Sequence, residues 1–325
     1  MKKELTVTIH CLAYNHEPYI RQCLDGFVMQ KTNFRYEAIV HDDASTDSTA
    51  AIIKEYAKKY PDIIKPIFET ENQYSKKDGS ITRIMNEHTH SKYVAICEGD
   101  DYWIDPLKLQ KQVDFLEKSS EYIMCCSDAV IQTNNGILEW CRYPHNQDVK
   151  LEDIIINGGW FLQTATLIYR KELLSEYPDF CKKCHVGDYP LMLWAGVNGK
   201  IFWMAEKQVV YRYSIGNSWT STYNKQELAN KIKGWRSEID MLQGLDDYSN
   251  NKYHFFFVKR QVDFIRNILL RNKEQYKEIS LHFLDIKKKY NLKEKIVDFL
   301  IETHLYDSIQ KIKSLISIKW FLKSV

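Results

Sequence analysis

Tyr36-Glu-Ala-Ile-Val-His-Asp-Asp-Ala-Ser-Thr-Asp-Ser-Thr49 is the stretch on which the fold turns. Tyr36 to His41 is a short, mainly apolar run of strand length. Two carboxylates follow, Asp42 and Asp43, and Asp43 with Ser45 reads as turn-forming. Asp47-Ser-Thr49 opens a helix that the pattern carries to about Lys59. Upstream, Thr6 to Cys11 reads as a buried strand, and Pro18 to Met29 as a helix with proline in its first turn. Downstream, Ile63 to Phe68 is a third strand, residues 70–80 are a polar loop, and Tyr93 to Cys97 is a fourth strand ending in Glu98-Gly-Asp-Asp101. Strands alternating with helices predict an α/β domain with a central, mostly parallel sheet.

Asp105-Pro106 reads as a helix start, continued by Leu109, Val113, Phe115 and Leu116. Asn135-Gly136 between Val130-Ile131 and Ile137-Leu138 reads as a hairpin turn. Thr166 to Tyr169, Ile201 to Met204 and Val209 to Tyr213 are later strands. Beyond Tyr223 the strand signals stop and four or five helices are expected. The expected organisation is an α/β domain over 1–222 and an α-helical C-terminal extension over 223–325.

Composition agrees with this division. The 325 residues are 44% hydrophobic and 27% charged, as in a globular protein, which excludes a disordered or collagen-like chain. No run approaches the apolar length of a membrane-spanning helix. The net charge of +2 hides an asymmetry: residues 1–222 carry 25 Lys and Arg against 30 Asp and Glu, and residues 223–325 carry 20 against 13. The acidic part would repel a phosphate backbone, so nucleic acid is not an expected partner. Met1-Lys-Lys-Glu4 leads straight into a strand with no signal-peptide core, so a cytoplasmic protein with reduced thiols is expected. Cys181-Lys-Lys-Cys184 is a single CxxC pair without a second pair at zinc-site distance.

In open α/β sheets, ligands bind beyond the carboxyl ends of the strands. Here those ends carry Ala13-Tyr14-Asn15, Asp42-Asp43 and Glu98-Gly99-Asp100-Asp101. Carboxylates gathered at one sheet edge repel unless a cation or hydrogen-bond donors lie between them. Oxygen ligands of this kind suit Mg2+ or Mn2+ held together with substrate phosphates. Neither GxxxxGK[ST] nor GxGxxG occurs, so the usual phosphate cradle and dinucleotide fingerprint are absent.

These segments resemble the family 2 glycosyltransferases of the GT-A fold, in the form found in bacterial surface-polysaccharide synthesis. Val7 to Asn15 is similar to their first strand and its terminal Tyr-Asn. Ile39 to Thr49 resembles their Asp-Asp-Gly-Ser-x-Asp-x-Thr segment, and Cys97 to Trp103 their Asp-x-Asp segment, with Glu98 at the first acid. The resemblance spans about residues 5–222. It implies an inverting enzyme using a nucleotide-diphosphate sugar, with a UDP-sugar favoured, and a glycan or lipid-linked acceptor. It places Ala13, Tyr14, Asn15, Asp42, Asp43, Arg83 and Asp100 at the nucleotide, and Glu98, Asp100 and Asp101 at the metal. Arg212, in Val210-Tyr-Arg-Tyr-Ser214, would reach the diphosphate, and Ser214 stands where the family often has a histidine.

Direct displacement at an anomeric carbon needs a base for the attacking hydroxyl. Asp188 in Gly187-Asp-Tyr-Pro190 opens a helix in the second half of the domain and is the candidate; Asp179 and Glu176 are weaker ones. His185 is a candidate lining residue. Lys76 and Lys77 lie on the polar loop. Trp103 and Trp160 are acceptor candidates, with Trp219 a third, because sugar C–H faces stack on aromatic rings. The rival readings are a sugar nucleotidyltransferase and a non-catalytic glycan-binding scaffold. Ser308 to Val325 carries Lys311, Lys313, Lys319 and Lys323 among apolar residues and no acid. That composition suggests peripheral contact with the inner membrane face, with docking on the protein or on a second subunit of a homo-oligomer as the rival.

Overall fold

The computed structural model describes residues 4–76, 78–138, 142–213, 223 and 226–303. Lys77, Cys141, Ser214, Trp219 and the 308–325 segment lie outside the described residues. The chain divides into two units, at Gln226/Glu227.

The first unit is built on a ten-stranded sheet. Strand β1 (Leu5–Ala13) is followed by helix α1 (Ile20–Val28), β2 (Arg35–Asp42), α2 (Thr49–Lys59), β3 (Ile64–Phe68), α3 (Ser80–Glu87), β4 (Tyr93–Ile96) and β5 (Tyr102–Trp103). Then come α4 (Lys108–Lys118), β6 (Tyr122–Thr133), β7 (Gly136–Leu138), β8 (Gln147–Asp148), α5 (Leu151–Asn157), β9 (Ile168–Arg170), α6 (Asp179–Lys182), α7 (Asp188–Asn198) and β10 (Lys200–Arg212). The strand order is β3-β2-β1-β4-β9-β6-β10-β5, with β7 on β6 and β8 on β10.

Pairs β1–β2, β2–β3, β1–β4 and β6–β10 are parallel. Strand β9 runs antiparallel between β4 and β6, and β5 runs antiparallel to β10. The sheet is therefore mixed, with parallel pairing concentrated where the first four strands meet. Local patterning shows that a strand exists but not its direction.

Strands β1 and β2 are buried on both faces, as parallel strands covered by helices must be. Helix α1 buries Ile20, Cys23, Leu24 and Phe27, a stripe at helical spacing, against the same core as Val7, Ile9, Cys11 and Val40. The expected strands 201–204 and 209–213 are one strand, β10, carried past register shifts between Met204 and Val209. Polar residues Glu206 to Gln208 at that irregularity gave the sequence its apparent break. Helix α3 lies where no element was expected; its eight residues show only a short apolar stripe.

The second unit contains α8 (Leu228–Tyr248), α9 (His254–Arg271), α10 (Tyr276–Leu281), α11 (Leu284–Lys287) and α12 (Leu292–Glu302). Asn250 and Asn251 turn the chain between α8 and α9 in the left-handed region, at φ 53° and 60°, which asparagine tolerates. A separate core joins Ile232, Trp235, Ile239, Val262, Ile265, Leu269, Phe283 and Ile301. Among the described residues no helix is long and apolar enough to cross a membrane.

Gly26 tests the packing of α1. A Cβ there would meet the Trp103 backbone nitrogen at 2.9 Å and oxygen at 3.1 Å. Gly→Ala inside a helix normally stabilises by about 1 kcal/mol. Gly26→Ala is expected to have the opposite sign and cost about 1–3 kcal/mol, read by urea denaturation. A variant more stable than the parent would show that α1 and β5 can move apart freely.

Candidate active site

The carboxyl ends of β1 and β2 are tied to each other by side chains from their turns. Asp43 N–H donates to Ala13 O at 2.9 Å, and Asn15 N–H to Ser45 Oγ at 2.9 Å. Asn15 Oδ1 accepts from Thr46 N–H at 2.8 Å, and His16 N–H donates to Thr49 Oγ1 at 2.8 Å. Asp47 accepts from Glu17 N–H through Oδ2 and from Thr49 N–H through Oδ1. Asn15 takes a left-handed φ of 56° to make this lacing. Ala13 is buried and Tyr14 stands exposed above it.

The two neighbouring carboxylates of β2 do different work. Asp43 Oδ1 accepts from Gln73 N–H at 2.6 Å and Oδ2 from Tyr74 N–H at 3.0 Å. Both oxygens thereby pin the 72–74 loop to the end of β2. Asp42 is equally buried, but only Oδ2 is engaged, by Ser45 N–H at 3.3 Å. Asp42 Oδ1 has no partner among the described residues. A buried acceptor left unpaired is costly and points to an absent donor.

The acidic turn after β4 is held to β1 by Gly99 N–H on Leu12 O at 2.9 Å. Asp101 turns inward, and its Oδ1 accepts from Arg212 N–H at 2.8 Å. The Arg212 guanidinium donates to Asp100 O and Gln22 Oε1, with Tyr19 and Tyr102 rings at 5.0 and 4.5 Å. Arg212 thus closes the acidic turn onto the end of β10.

Burial pushes the Glu98 carboxyl up to about 8, helped by the negative charges of Asp100 and Asp188. Burial, then Asp100, also raises Asp101 well above the carboxylate range. Among the described residues no three His, Cys, Asp or Glu side chains form a metal-holding group. Asp101, the third acid of the expected set, has its Oδ1 engaged by Arg212 N–H. Glu98 and Asp100 remain, and two carboxylates completed by phosphate oxygens fit Mg2+ or Mn2+.

Asp188 begins α7. Its Oδ2 accepts from Thr164 Oγ1 at 3.0 Å and its Oδ1 from Tyr189 N–H at 2.7 Å. Desolvation raises its pKa above the ordinary aspartate value. The 158–160 turn passes over it: a Cβ on Gly159 would come within 4.0 Å of Asp188 Oδ1. That turn presents Trp160, 42% exposed and edge-on to Tyr213 at 4.6 Å and Tyr211 at 6.2 Å. Arg142 holds the turn by donating to Phe161 O and Trp160 O. The Tyr211 hydroxyl is raised by burial and by Asp101, Asp100 and Asp188, which joins the aromatic group to the acidic one.

Several expected residues have other partners in the structure. Trp103 is 2% exposed; its Nε1 donates to Ala165 O at 2.9 Å, Phe27 packs on it and the Lys108 ammonium lies 4.4 Å from its ring. It is a core residue and cannot stack on a sugar, which corrects its acceptor role. Arg83 is exposed on α3 and pairs with Asp78. Lys76 is bound to Gln73 and Glu71. His185 stacks on Tyr223 at 5.3 Å, and Asp179 pairs with Lys182.

His16 is the residue that sequence reading missed. Its ring lies in the field of Asp100, Asp47, Asp42 and Arg212, and burial lowers its pKa against the pull of the three carboxylates. Its buried Nδ1 has no partner among the described residues. Its position directly after Tyr14-Asn15, at the end of β1, was the available signal. Gln22 and Thr164 were also missed, since each acts on a partner far away in sequence.

The family model described as Glycosyl transferase family 2 matches residues 8–178. An uncharacterized protein of Mycobacterium tuberculosis is 35% identical over 222 residues, 67% of this chain and 61% of that protein. The chain thus spans about three-fifths of that relative's length. S. aureus TarS matches in structure with a TM-score of 0.64 at 15% identity, over 94% of this chain and 55% of TarS. TarS 1–349 in complex with UDP-GlcNAc matches at 0.57 and 16%, over 94% and 92%. The mannosyltransferase PcManGT from Pyrobaculum calidifontis, in complex with GDP-Man and Mn2+, matches at 0.53 and 14%, over 90% and 77%. At these identities the structural matches establish the GT-A fold.

The inward Asp101 separates structure from ligand binding. Asp101→Ala leaves the Arg212 N–H buried and unpaired and is expected to cost roughly 1–3 kcal/mol. Asp101→Asn keeps an acceptor and should lose less than half as much. Urea denaturation of both variants decides; an alanine variant as stable as the parent would remove Asp101 from the fold's support.

Proposed function

The chain belongs to glycosyl transferase family 2, and on that premise we propose that it is an inverting transferase moving a sugar from a nucleotide-diphosphate donor to a glycan or lipid-linked acceptor hydroxyl. The proposed setting is bacterial surface-polysaccharide synthesis, and the proposed donor is a UDP-sugar. One observation carries the reading: a carboxylate, Asp188, is held apart from the acidic turn yet within its field, beneath an exposed aromatic. That is the division of labour single displacement requires. Nothing comparable supports a nucleotidyltransferase or a scaffold.

Asp42 would take a donor N–H of the nucleobase on its unpaired Oδ1, beside Tyr14 and the end of β1. Asp100 would lie toward the ribose and diphosphate. Glu98 and Asp100 would hold Mn2+ or Mg2+, and the ion would neutralise the diphosphate leaving group. Arg212 places a fixed positive charge beneath the same turn. Arg83 joins the nucleotide only if it leaves Asp78.

At the acceptor, Trp160 would stack on a sugar face and set the hydroxyl over Asp188. Thr164 orients that carboxyl. Raised basicity favours Asp188 as a proton acceptor, since general bases work best with pKa values near the working pH. Glu98 and Asp100 are poorer bases with a cation bound, which lowers proton affinity.

Nucleotide binding is the first test. UDP at a hundredfold excess over its Kd is expected to stabilise the protein by about 2.7 kcal/mol, with Mn2+ present and not with EDTA. Asp100→Ala should abolish the metal-dependent part by calorimetry; equal affinity in EDTA would refute the metal assignment.

Asp188→Asn is the second test. It should leave UDP binding intact and lower kcat by roughly 10²–10⁴-fold. Product NMR coupling constants should report inversion in the parent. The raised pKa gives the sign of the stability effect. Ionised Asp188 costs stability as pH rises from its unfolded value, about 3.9, through its folded value. The Asp188→Asn variant should therefore be at least as stable as the parent at pH 7. A rate loss under about tenfold, within indirect positional effects, would place the base elsewhere.

A further inference from the structure

His16 stands where three parts of the sheet edge meet. Its N–H donates to Thr49 Oγ1 at 2.8 Å, beyond the turn that follows β2. Its carbonyl accepts from Tyr19 and Ile20 N–H at 2.9 and 2.8 Å, at the start of α1. Its ring packs on the acidic turn: a Cβ on Gly99 would meet His16 Nδ1 at 2.7 Å. Backbone and ring are thus held by separate segments, and the imidazole has a fixed place.

The two ring nitrogens differ. Nδ1 is buried and has no partner among the described residues. The same Cβ on Gly99 would meet Ile20 Cδ1 at 3.1 Å and Ala13 Cβ at 3.2 Å, so this flank is apolar. An N–H pointed into it would be stranded. The one proton of the neutral ring is therefore assigned to Nε2. The side chain as a whole is only half-buried, and Nε2 makes no hydrogen bond among the described residues.

Asp100, Asp47 and Asp42 surround the ring. Asp47 is engaged by Glu17 and Thr49 N–H. Asp42 Oδ1 has no partner among the described residues. The Asp100 side chain accepts no hydrogen bond among them either, since Arg212 takes its main-chain O. A donor set among unpaired acceptors selects its occupant. An anion on Nε2–H would meet the carboxylates' repulsion, and a cation would gain nothing from an N–H. A hydroxyl satisfies both, because it accepts from the N–H and donates to a carboxylate.

We propose that His16 Nε2–H donates to a ribose hydroxyl of the bound nucleotide, and that this hydroxyl donates in turn to Asp100. The inference rests on the nucleotide-donor reading and deepens it: His16 becomes a residue that selects ribose over deoxyribose.

Calorimetry of the full chain with UDP, 2′-deoxy-UDP and 3′-deoxy-UDP, each with Mn2+, tests it. The parent should bind one deoxy form roughly tenfold or more weaker than UDP. His16→Ala should weaken UDP by roughly three- to tenfold and leave the affinity for that deoxy form unchanged. His16→Gln carries an amide near the Nε2 position and should keep the preference for UDP. His16→Asn carries one near Nδ1 and should lose it. If His16→Ala fails to fold by circular dichroism, the Gln and Asn pair decides. Equal weakening of UDP and both deoxy forms in His16→Ala would show a purely structural role and overturn the contact. So would a parent that binds UDP no better than either deoxy form, an outcome that leaves the nucleotide-donor reading standing. A parent that binds no UDP would overturn the UDP-sugar reading itself, and the contact with it.

Discussion

The site depends on the junction between Arg212 and the acidic turn. Asp101 Oδ1 receives the Arg212 N–H, and the Arg212 guanidinium returns to Asp100 O and to Gln22 on α1. This closes the end of β10 onto the turn after β4, two segments 111 residues apart. Without a fixed cation there, Glu98, Asp100 and Asp101 would face each other's charges in a partly dehydrated edge. Tyr19 and Tyr102 enclose the guanidinium and keep it from solvent. Burial first, and then the neighbouring carboxylates, still hold Glu98 and Asp101 above the ordinary carboxylate range.

A second constraint operates between the first two turns. Of the polar residues that follow β1 and β2, most are engaged in building the turns. Asn15, Ser45, Thr46, Asp47 and Thr49 bond across the two strands, and Asp43 fastens the loop that follows β3. Of the buried side-chain atoms in these turns, one oxygen of Asp42 and Nδ1 of His16 have no partner among the described residues. Leftover capacity, rather than membership of an acidic run, marks the groups available to a ligand.

The surroundings of Asp188 are assembled from irregular chain. The 158–160 turn, held by Arg142, brings Trp160 over the start of α7, where Thr164 steadies Asp188. Tyr211 and Tyr213, on and just beyond the end of β10, back Trp160. The same strand that carries Arg212 thus supports the aromatic group. A single displacement of β10 would disturb both Arg212 and the aromatic group around Trp160.

The alternation of strands and helices was legible in the sequence because apolar period and capping are local properties. Tyr36 to Thr49, the Asn135-Gly136 hairpin and the loss of strand signals beyond Tyr223 all reappear in the structure. So do the acidic turns at strand ends and Asp188 at the head of a helix. The direction of β9 and β5, and the union of two strand-like runs in β10, depended on pairing partners that no local pattern names. The fate of individual side chains was decided the same way. Trp103 and Trp160 look alike in sequence, yet one is sealed under Lys108 and Ala165 and the other is open. Asp42 and Asp43 are neighbours, yet Gln73 and Tyr74, about 30 residues away, occupy only the second. Residue type and spacing determined which chemistry is present at the sheet edge. Which groups remain free to perform it was set by hydrogen bonds between distant segments, because an acceptor's availability is a property of what surrounds it once the chain has folded.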